Sequence, residues 1–445
     1  MNLPAGIIKV LIEFQPAFSV PSYRKVMRLV IGTLLGKGER TVTAALRQMG
    51  IQDRGDWAKY HHLLNRAKWS AEQVGQILLR LLVRTFVSQE EWVKIVLDET
   101  LERRSGKRIK KRGHWRDSRA SSKKMNVSSS GLRWLVGGVV VKLGWSQRRW
   151  ALPFLSTLLL TPKVSEQLGK RHKKLPQVAG QMISWLRRTL PDQRIKVIGD
   201  GSYSVIELGL TAQKRKVTLI APLRLDARLF DPPPPYSGRG RPRVVGARLP
   251  NLAQIADDPH TQWQRQQIDW YGGQKRLIDW VSGTALWYST GIPPLPLRWV
   301  LVRDPSGQLA TKAYFSTDQD QDPLSIITDF VDRWSIEVTF EESRAHLGVE
   351  TQRQWADLAI ERTTPALFGL FSLVVLFAHT LFPDGQIPIA QSAWYAKSEA
   401  TFSDVIAAVR RALWGNFIFQ TAPDQPDMLL IPRRFLDRLA FAVCH

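Results

Sequence analysis

The spacing of apolar residues changes character several times along the chain, and the changes divide it. Residues 1–90 carry helical periodicity throughout. Within them, residues 23–30 and 36–46 read as a helix, a turn holding Gly36 and Gly38, and a second short helix, the outline of a helix-turn-helix. Ser70 followed by Gln73 is a capping-box pattern that opens a further helix. From about residue 91 the period falls to that of strands. Residues 94–97 form a buried β-run ending at Asp98, residues 132–143 and 149–160 a hairpin, and residues 177–190 a helix. A fourth strand at 194–198 leads into Asp200, and a fifth occupies 217–222. Residues 225–322 begin with four prolines at 232–235 and continue in short β-like runs at 267–271, 275–281, 284–288, 298–303 and 311–315. Helical spacing returns in 323–382, where Ile327, Val331, Trp334 and Val338 line one face that can pack on a sheet. Residues 383–445 read as a C-terminal helical region whose amphipathic run at 402–413 suits a dimer contact or a cap on the core. The chain is therefore of α/β class.

The polar residues of the 329–344 helix sharpen this picture. At about 100° per residue, Phe330, Arg333, Glu337 and Arg344 fall within a sector of about 60°. One carboxylate is flanked by two guanidinium groups, an arrangement in which the acid can hold a metal ion and the arginines phosphates. Asp98 and Asp200 each end a β-run at a loop edge, where a divalent cation can reach a carboxylate.

The segment Phe330, Arg333, Glu337, Arg344 resembles the Tyr-Arg-Glu-Lys signature of bacterial insertion-sequence transposases, a branch of the DDE transposases with an RNase H-like core. Both spacings are reproduced, four residues from Arg333 to Glu337 and seven to Arg344. Phe330 stands for the tyrosine and Arg344 for the lysine. The resemblance covers most of the chain. It implies an RNase H-like core (91–224 and 323–382) interrupted by a β-rich insertion (225–322), with a helical DNA-binding region at 1–90. It implies that Asp98, Asp200 and Glu337 are the catalytic, metal-holding acids, served by two Mg²⁺ ions, with Mn²⁺ as a substitute. The expected activity is cleavage of transposon ends and transfer of their 3′-OH groups to target DNA, by a homodimer. An insertion tryptophan that stacks on a flipped base is a family feature, and Trp263, Trp270, Trp280, Trp287 and Trp299 are all candidates. A structure-specific nuclease and an inactive transposase-derived repressor remain as alternatives.

Charge agrees with a DNA partner. There are 63 Lys and Arg against 39 Asp and Glu, a formal net charge of +24, which marks a polyanion-binding surface. Between the first two strands, residues 103–124 form a basic run, with Lys107, Arg108, Lys110, Lys111 and Arg112 at its densest part, opposed only by Asp117. Arg239 and Arg241, set among glycines and a proline, suit entry into a minor groove. The single cysteine, Cys444, excludes a disulfide framework and a cysteine-rich zinc site and suits a reducing compartment. Residues 1–6 lack a signal-peptide pattern, and the expected location is the bacterial cytoplasm, in association with the nucleoid. The apolar run 366–382 is short for a membrane span and holds Ser372, His379 and Thr380; a helix packed on the sheet explains it, with His379 a core or edge residue.

Overall fold

A computed structural model describes residues 3–444 except 90, 123, 237, 239, 395, 416–419, 423 and 424. Five helices come first: α1 (Ala5–Ile12), α2 (Val20–Leu35), α3 (Val42–Gln48), α4 (Ala58–Asn65) and α5 (Ala71–Phe86). The Thr41 hydroxyl caps α3 by accepting the Ala44 N–H at 3.1 Å, and Ser70 caps α5 through the Gln73 N–H. α2 and α3 are the expected helix pair across a turn. They approach so closely that a Cβ on Gly32 would lie 2.3 Å from the Ala45 carbonyl oxygen.

The next elements are β1 (Val93–Arg103), β2 (Gly113–Arg116), β3 (Ser128–Lys142), β4 (Arg149–Leu159), α6 (Pro162–Gln167), α7 (Leu175–Thr189), β5 (Ile195–Ile198), α8 (Ile206–Lys214) and β6 (Val217–Leu223). β4, β3, β1, β5 and β6 lie side by side in that order. β1/β5 and β5/β6 are parallel, β3/β4 and β1/β3 antiparallel. The parallel strands read Ile-Lys-Val-Ile and Val-Thr-Leu-Ile because both faces are covered. Pro153 cannot donate to the ladder; it sits where the β3/β4 register shifts between Gly137 and Gly138. Its carbonyl accepts the Ser372 hydroxyl at 2.6 Å.

The chain continues through β7 (Leu229–Phe230), α9 (Leu252–Asp257), β8 (Gln264–Asp269), β9 (Lys275–Trp287), β10 (Leu295–Arg303) and β11 (Lys312–Ser316). β11 pairs with β6, so these strands prolong the same sheet. The runs at 275–281 and 284–288 are one strand, β9, because Gly283 leaves room for the Trp299 ring, 2.8 Å from where a Cβ would stand. Then come α10 (Pro323–Asp332), α11 (Ser335–Leu347), α12 (Asp357–Leu381), α13 (Phe402–Gly415), the hairpin β12 (Gln420–Ala422) and β13 (Gln425–Leu430), and α14 (Arg433–Cys444). The whole is a large mixed sheet flanked by helices, consistent with an RNase H-like core.

α12 is long and apolar enough to cross a membrane, yet most of its apolar window is buried inside the protein, much of it against β4. His379 packs edge-on against Phe86 at 5.1 Å, and burial lowers its pKa. Arg362 of α12, 4 % exposed, donates to the carbonyls of Leu63, Leu64, Ala67 and Trp69. It also lies over the Trp69 ring at 4.3 Å. The α4–α5 corner is thereby fastened to the core. The apolar face of α13 is buried too, with Phe402 stacked on Phe371 of α12 at 4.1 Å and Arg410 bonded to the Leu34 and Gly36 carbonyls. That face packs on the core.

Candidate active site

Two stretches of sequence with one spacing build the floor of the site. Lys94 precedes Asp98 by four residues on β1, and Lys196 precedes Asp200 by four at β5. The strands pair in parallel with Lys94 opposite Lys196 and Val96 opposite Ile198. Side chains alternate along a strand, so both lysines and both aspartates belong to one face, the acids one layer above the bases. The expectation that the first strand ends at Asp98 is corrected: β1 runs on to Arg103 because β3 pairs with it from Ile95 to Arg103. β5 does stop. There Asp200 accepts the Ser202 N–H at 2.7 Å and turns the chain into the 3-10 segment Gly201–Tyr203.

Helices α10 and α11 lie over this face. The expected single helix is instead two segments joined at Arg333 and Trp334. The amides of Arg333, Trp334, Ile336 and Glu337 each bond three residues back, at 3.1–3.2 Å, the tighter 3-10 pattern. This shifts the angular phase of the second segment. As a result Trp334 and Val338 are exposed, at 46 % and 42 %, while Ile336, Thr339, Phe340 and Ser343 pack inward. The expected apolar face stops at Val331.

In the lower layer, Asp329 receives Lys94 at 2.6 Å, Lys196 at 2.8 Å and the Gln321 amide at 3.0 Å. Lys94 also reaches Asp332 at 3.4 Å. In the upper layer, Arg333 forks between two acids. One Nη donates to Asp98 Oδ2 at 2.7 Å and the other to Glu337 Oε1 at 2.8 Å. Phe330 is buried beneath it, with the guanidinium 5.5 Å above its ring and the Tyr314 ring 4.5 Å away. Asp98 is pushed up to about 7, chiefly by burial; Asp200 and Glu99 add to this and Arg333 opposes it. Tyr271, from the turn between β8 and β9, packs on Trp334 at 5.6 Å, and burial raises its pKa.

The structure thus brings Asp98, Asp200, Phe330, Arg333 and Glu337 together. Arg344 lies farther along α11, where it bonds Glu350 at 2.8 Å, the Phe340 carbonyl and the Thr100 hydroxyl. In the basic run, Lys107, Arg108 and Lys110 are exposed, and Arg108 lies 5.5 Å over the Trp355 ring. Lys111 is buried and paired with Glu361 at 2.5 Å, and Arg112 is tied to the Ser105 carbonyl. Arg241 is exposed, and Arg239 lies outside the described residues. Sequence reasoning passed over Lys94, Lys196, Asp329 and Asp332. The repeated Lys-x-x-x-Asp spacing was the available signal for the lysines.

Among the described residues, no three acidic, histidine or cysteine side chains are placed so as to hold a metal ion together. Glu337 leans on Arg333 rather than toward the aspartates. The donor chemistry nevertheless fits a hard divalent cation: all three side chains are carboxylates, and the charge of Asp200 adds to the burial that raises Asp98.

Residues 13–277 match a family described as DDE superfamily endonuclease. The chain belongs to that family. The matched stretch contains Asp98 and Asp200 and ends before Glu337. No match was found among curated proteins. Membership of the DDE superfamily endonucleases implies DNA as substrate and divalent metal ions as usual cofactors, with transposase or nuclease activity.

Proposed function

We propose that this DDE endonuclease is a transposase of the insertion-sequence type, which cleaves the ends of its element and joins their 3′-OH groups to target DNA. The observation that carries this reading is the Arg333 fork, which ties the strand acid Asp98 to the helix acid Glu337 beside Asp200. Arg333, Glu337 and Arg344 also keep the spacing of the Tyr-Arg-Glu-Lys signature, with residues 225–322 as the insertion and the flanking helices as accessory regions.

Asp98, Asp200 and Glu337 would hold two Mg²⁺ ions, with Mn²⁺ able to replace them. Bound there, the ions supply activation of the attacking oxygen and stabilisation of the leaving one. Arg333 balances the acids while they lack a cation and orients the scissile phosphate once Glu337 turns away. Arg344 holds a neighbouring phosphate. Phe330 sets the height of the Arg333 guanidinium by packing beneath it. Lys107, Arg108, Lys110 and Arg241 track the duplex backbone from exposed positions, with Lys111 and Arg112 shaping their loop. The working species is a homodimer on paired ends.

The test is incubation of the purified full chain with labelled end DNA, target plasmid and Mg²⁺. Joined products are expected. Hydrolysis without joining would replace the proposal with a structure-specific nuclease. Binding with neither would leave a transposase-derived repressor.

A further inference from the structure

Beyond α11 the chain adopts a backbone that most residues resist. Gly348 turns through φ 64 and, two residues later, Glu350 takes φ 83, a region disfavoured for a residue with a Cβ. Its carboxylate lies among three guanidinium groups. Arg344 Nε is 2.8 Å away, Arg103 Nη1 3.9 Å and Arg119 Nη1 3.9 Å. These arginines come from α11, β1 and the loop after β2, and two of them have other anchors. Arg103 is gripped in two-pronged fashion by the buried Asp117, at 2.7 and 2.9 Å. Asp117 also accepts the Arg119 N–H and the Ser129 hydroxyl. Arg344 bonds Thr100 and the Phe340 carbonyl. Glu350 is the acid that all three share.

The cluster is close to the candidate active site. Arg344 follows Glu337 by seven helical residues, roughly 10 Å of axis, and Thr100 follows Asp98 by two strand residues, roughly 7 Å. At about 3.4 Å per nucleotide of one strand, that offset corresponds to two or three nucleotides. Guanidinium forks match phosphate oxygens as well as they match a carboxylate.

We infer that Arg103, Arg119 and Arg344 form a binding site for a DNA backbone phosphate two or three nucleotides from the cleavage point, and that Glu350 is its internal stand-in. The carboxylate keeps the three cations together in the free protein and is displaced when the phosphate arrives. The strained Glu350 backbone belongs to a residue placed for that contact. The location of the site, though not its chemistry, rests on the proposed catalytic acids.

The experiment is a salt titration of duplex binding by the full chain carrying Asp98→Asn, which separates binding from cleavage. Adding Glu350→Gln is expected to tighten binding roughly fivefold at low salt and to steepen the log–log slope by about 0.9. Adding Arg103→Gln and Arg119→Gln is expected to remove both effects. Glu350→Gly, which relieves the backbone, is the second variant should the glutamine protein fold poorly, and it must show the same gain. Unchanged or weaker binding by a folded Glu350 variant overturns the inference, as does a gain that survives loss of the arginines. Retained cleavage by the Asp98→Asn parent would instead overturn the catalytic assignment, and the salt slopes would still decide the phosphate site.

Discussion

The two layers of charge under α10 and α11 use the same strands yet are composed differently. In the lower layer Lys94 and Lys196, with Arg149 at the rim 3.8 Å from Asp332, face Asp329 and Asp332, so that each acid has at least one cation partner. In the upper layer Asp98, Asp200 and Glu337 have Arg333 between them, three carboxylates to one guanidinium. The lower layer is complete as it stands and holds the helices to the sheet. The upper layer has excess negative charge around the buried Asp98, with Asp200 and Glu337 partly open to solvent, which suits a cation-binding centre. The site is thus set apart by imbalance beside balance, with residue types alone saying little.

The sharpest test of that contrast is removal of charge from the upper layer. Asp98→Asn, Asp200→Asn or Glu337→Gln should each lower Mg²⁺-dependent plasmid nicking by roughly 10³-fold or more while DNA binding persists. Near-normal nicking by Glu337→Gln would move that role to Glu341 or Glu342.

Protons give a second handle. Asp98 has a folded-state pKa of about 7 against an ordinary 3.8. The folded form therefore keeps this proton between about pH 4 and 7 while the unfolded chain loses it. The associated stability is present below pH 4 and lost as pH rises through 7, a total of about 4 kcal/mol. Urea midpoints should show Asp98→Asn gaining on the parent by that order between pH 4 and 8. A difference that does not vary with pH would mean that Asp98 is not perturbed.

Breaking the lower layer should act on folding instead. Lys196→Met leaves Asp329, 1 % exposed, with Lys94 as its remaining cation. A loss of about 3 kcal/mol is expected by urea unfolding. A neutral result would show that the lysine layer does not hold the helices down. The smallest effect should come from Phe330→Tyr, which restores the hydroxyl of the resembled signature. Arg333 Nε is buried with no partner among the described residues, so a nearby hydroxyl has a donor to accept from. Cleavage within about threefold of the parent is expected; loss of folding, read from the melting temperature, would show that the pocket has no room.

The main β-runs were legible because strands covered on both faces are apolar; Asp98 and Asp200 stood out as the charges that follow such runs, and Glu337 was picked out by helical spacing. What escaped was polar structure with distant partners. Residues 99–103, Glu-Thr-Leu-Glu-Arg, do not read as the continuation of a buried strand. Yet Glu102 is 1 % exposed because Trp134, Thr364 and Arg104 donate to it. β2 lies inside the basic run, where charge hid it. The break at Arg333–Trp334 was invisible to a fixed 100° step, since a short 3-10 turn leaves no mark in the spacing. In the amphipathic C-terminal run the pattern was right, but only the packed chain shows that its apolar face turns inward.

Arg362 has a consequence in time. Its four carbonyl partners lie 293 to 299 residues earlier in the chain. At about 5–20 residues per second of synthesis, the α4–α5 corner waits roughly 15–60 s for the arginine that fastens it. During that interval the first helices have each other and β3 and β4 to pack on, but lack the cover that α12 supplies to α1, α4 and α5. Nascent chains halted before residue 362 should therefore show these helices open to protease or bound by chaperones, and release of the next segment should close them.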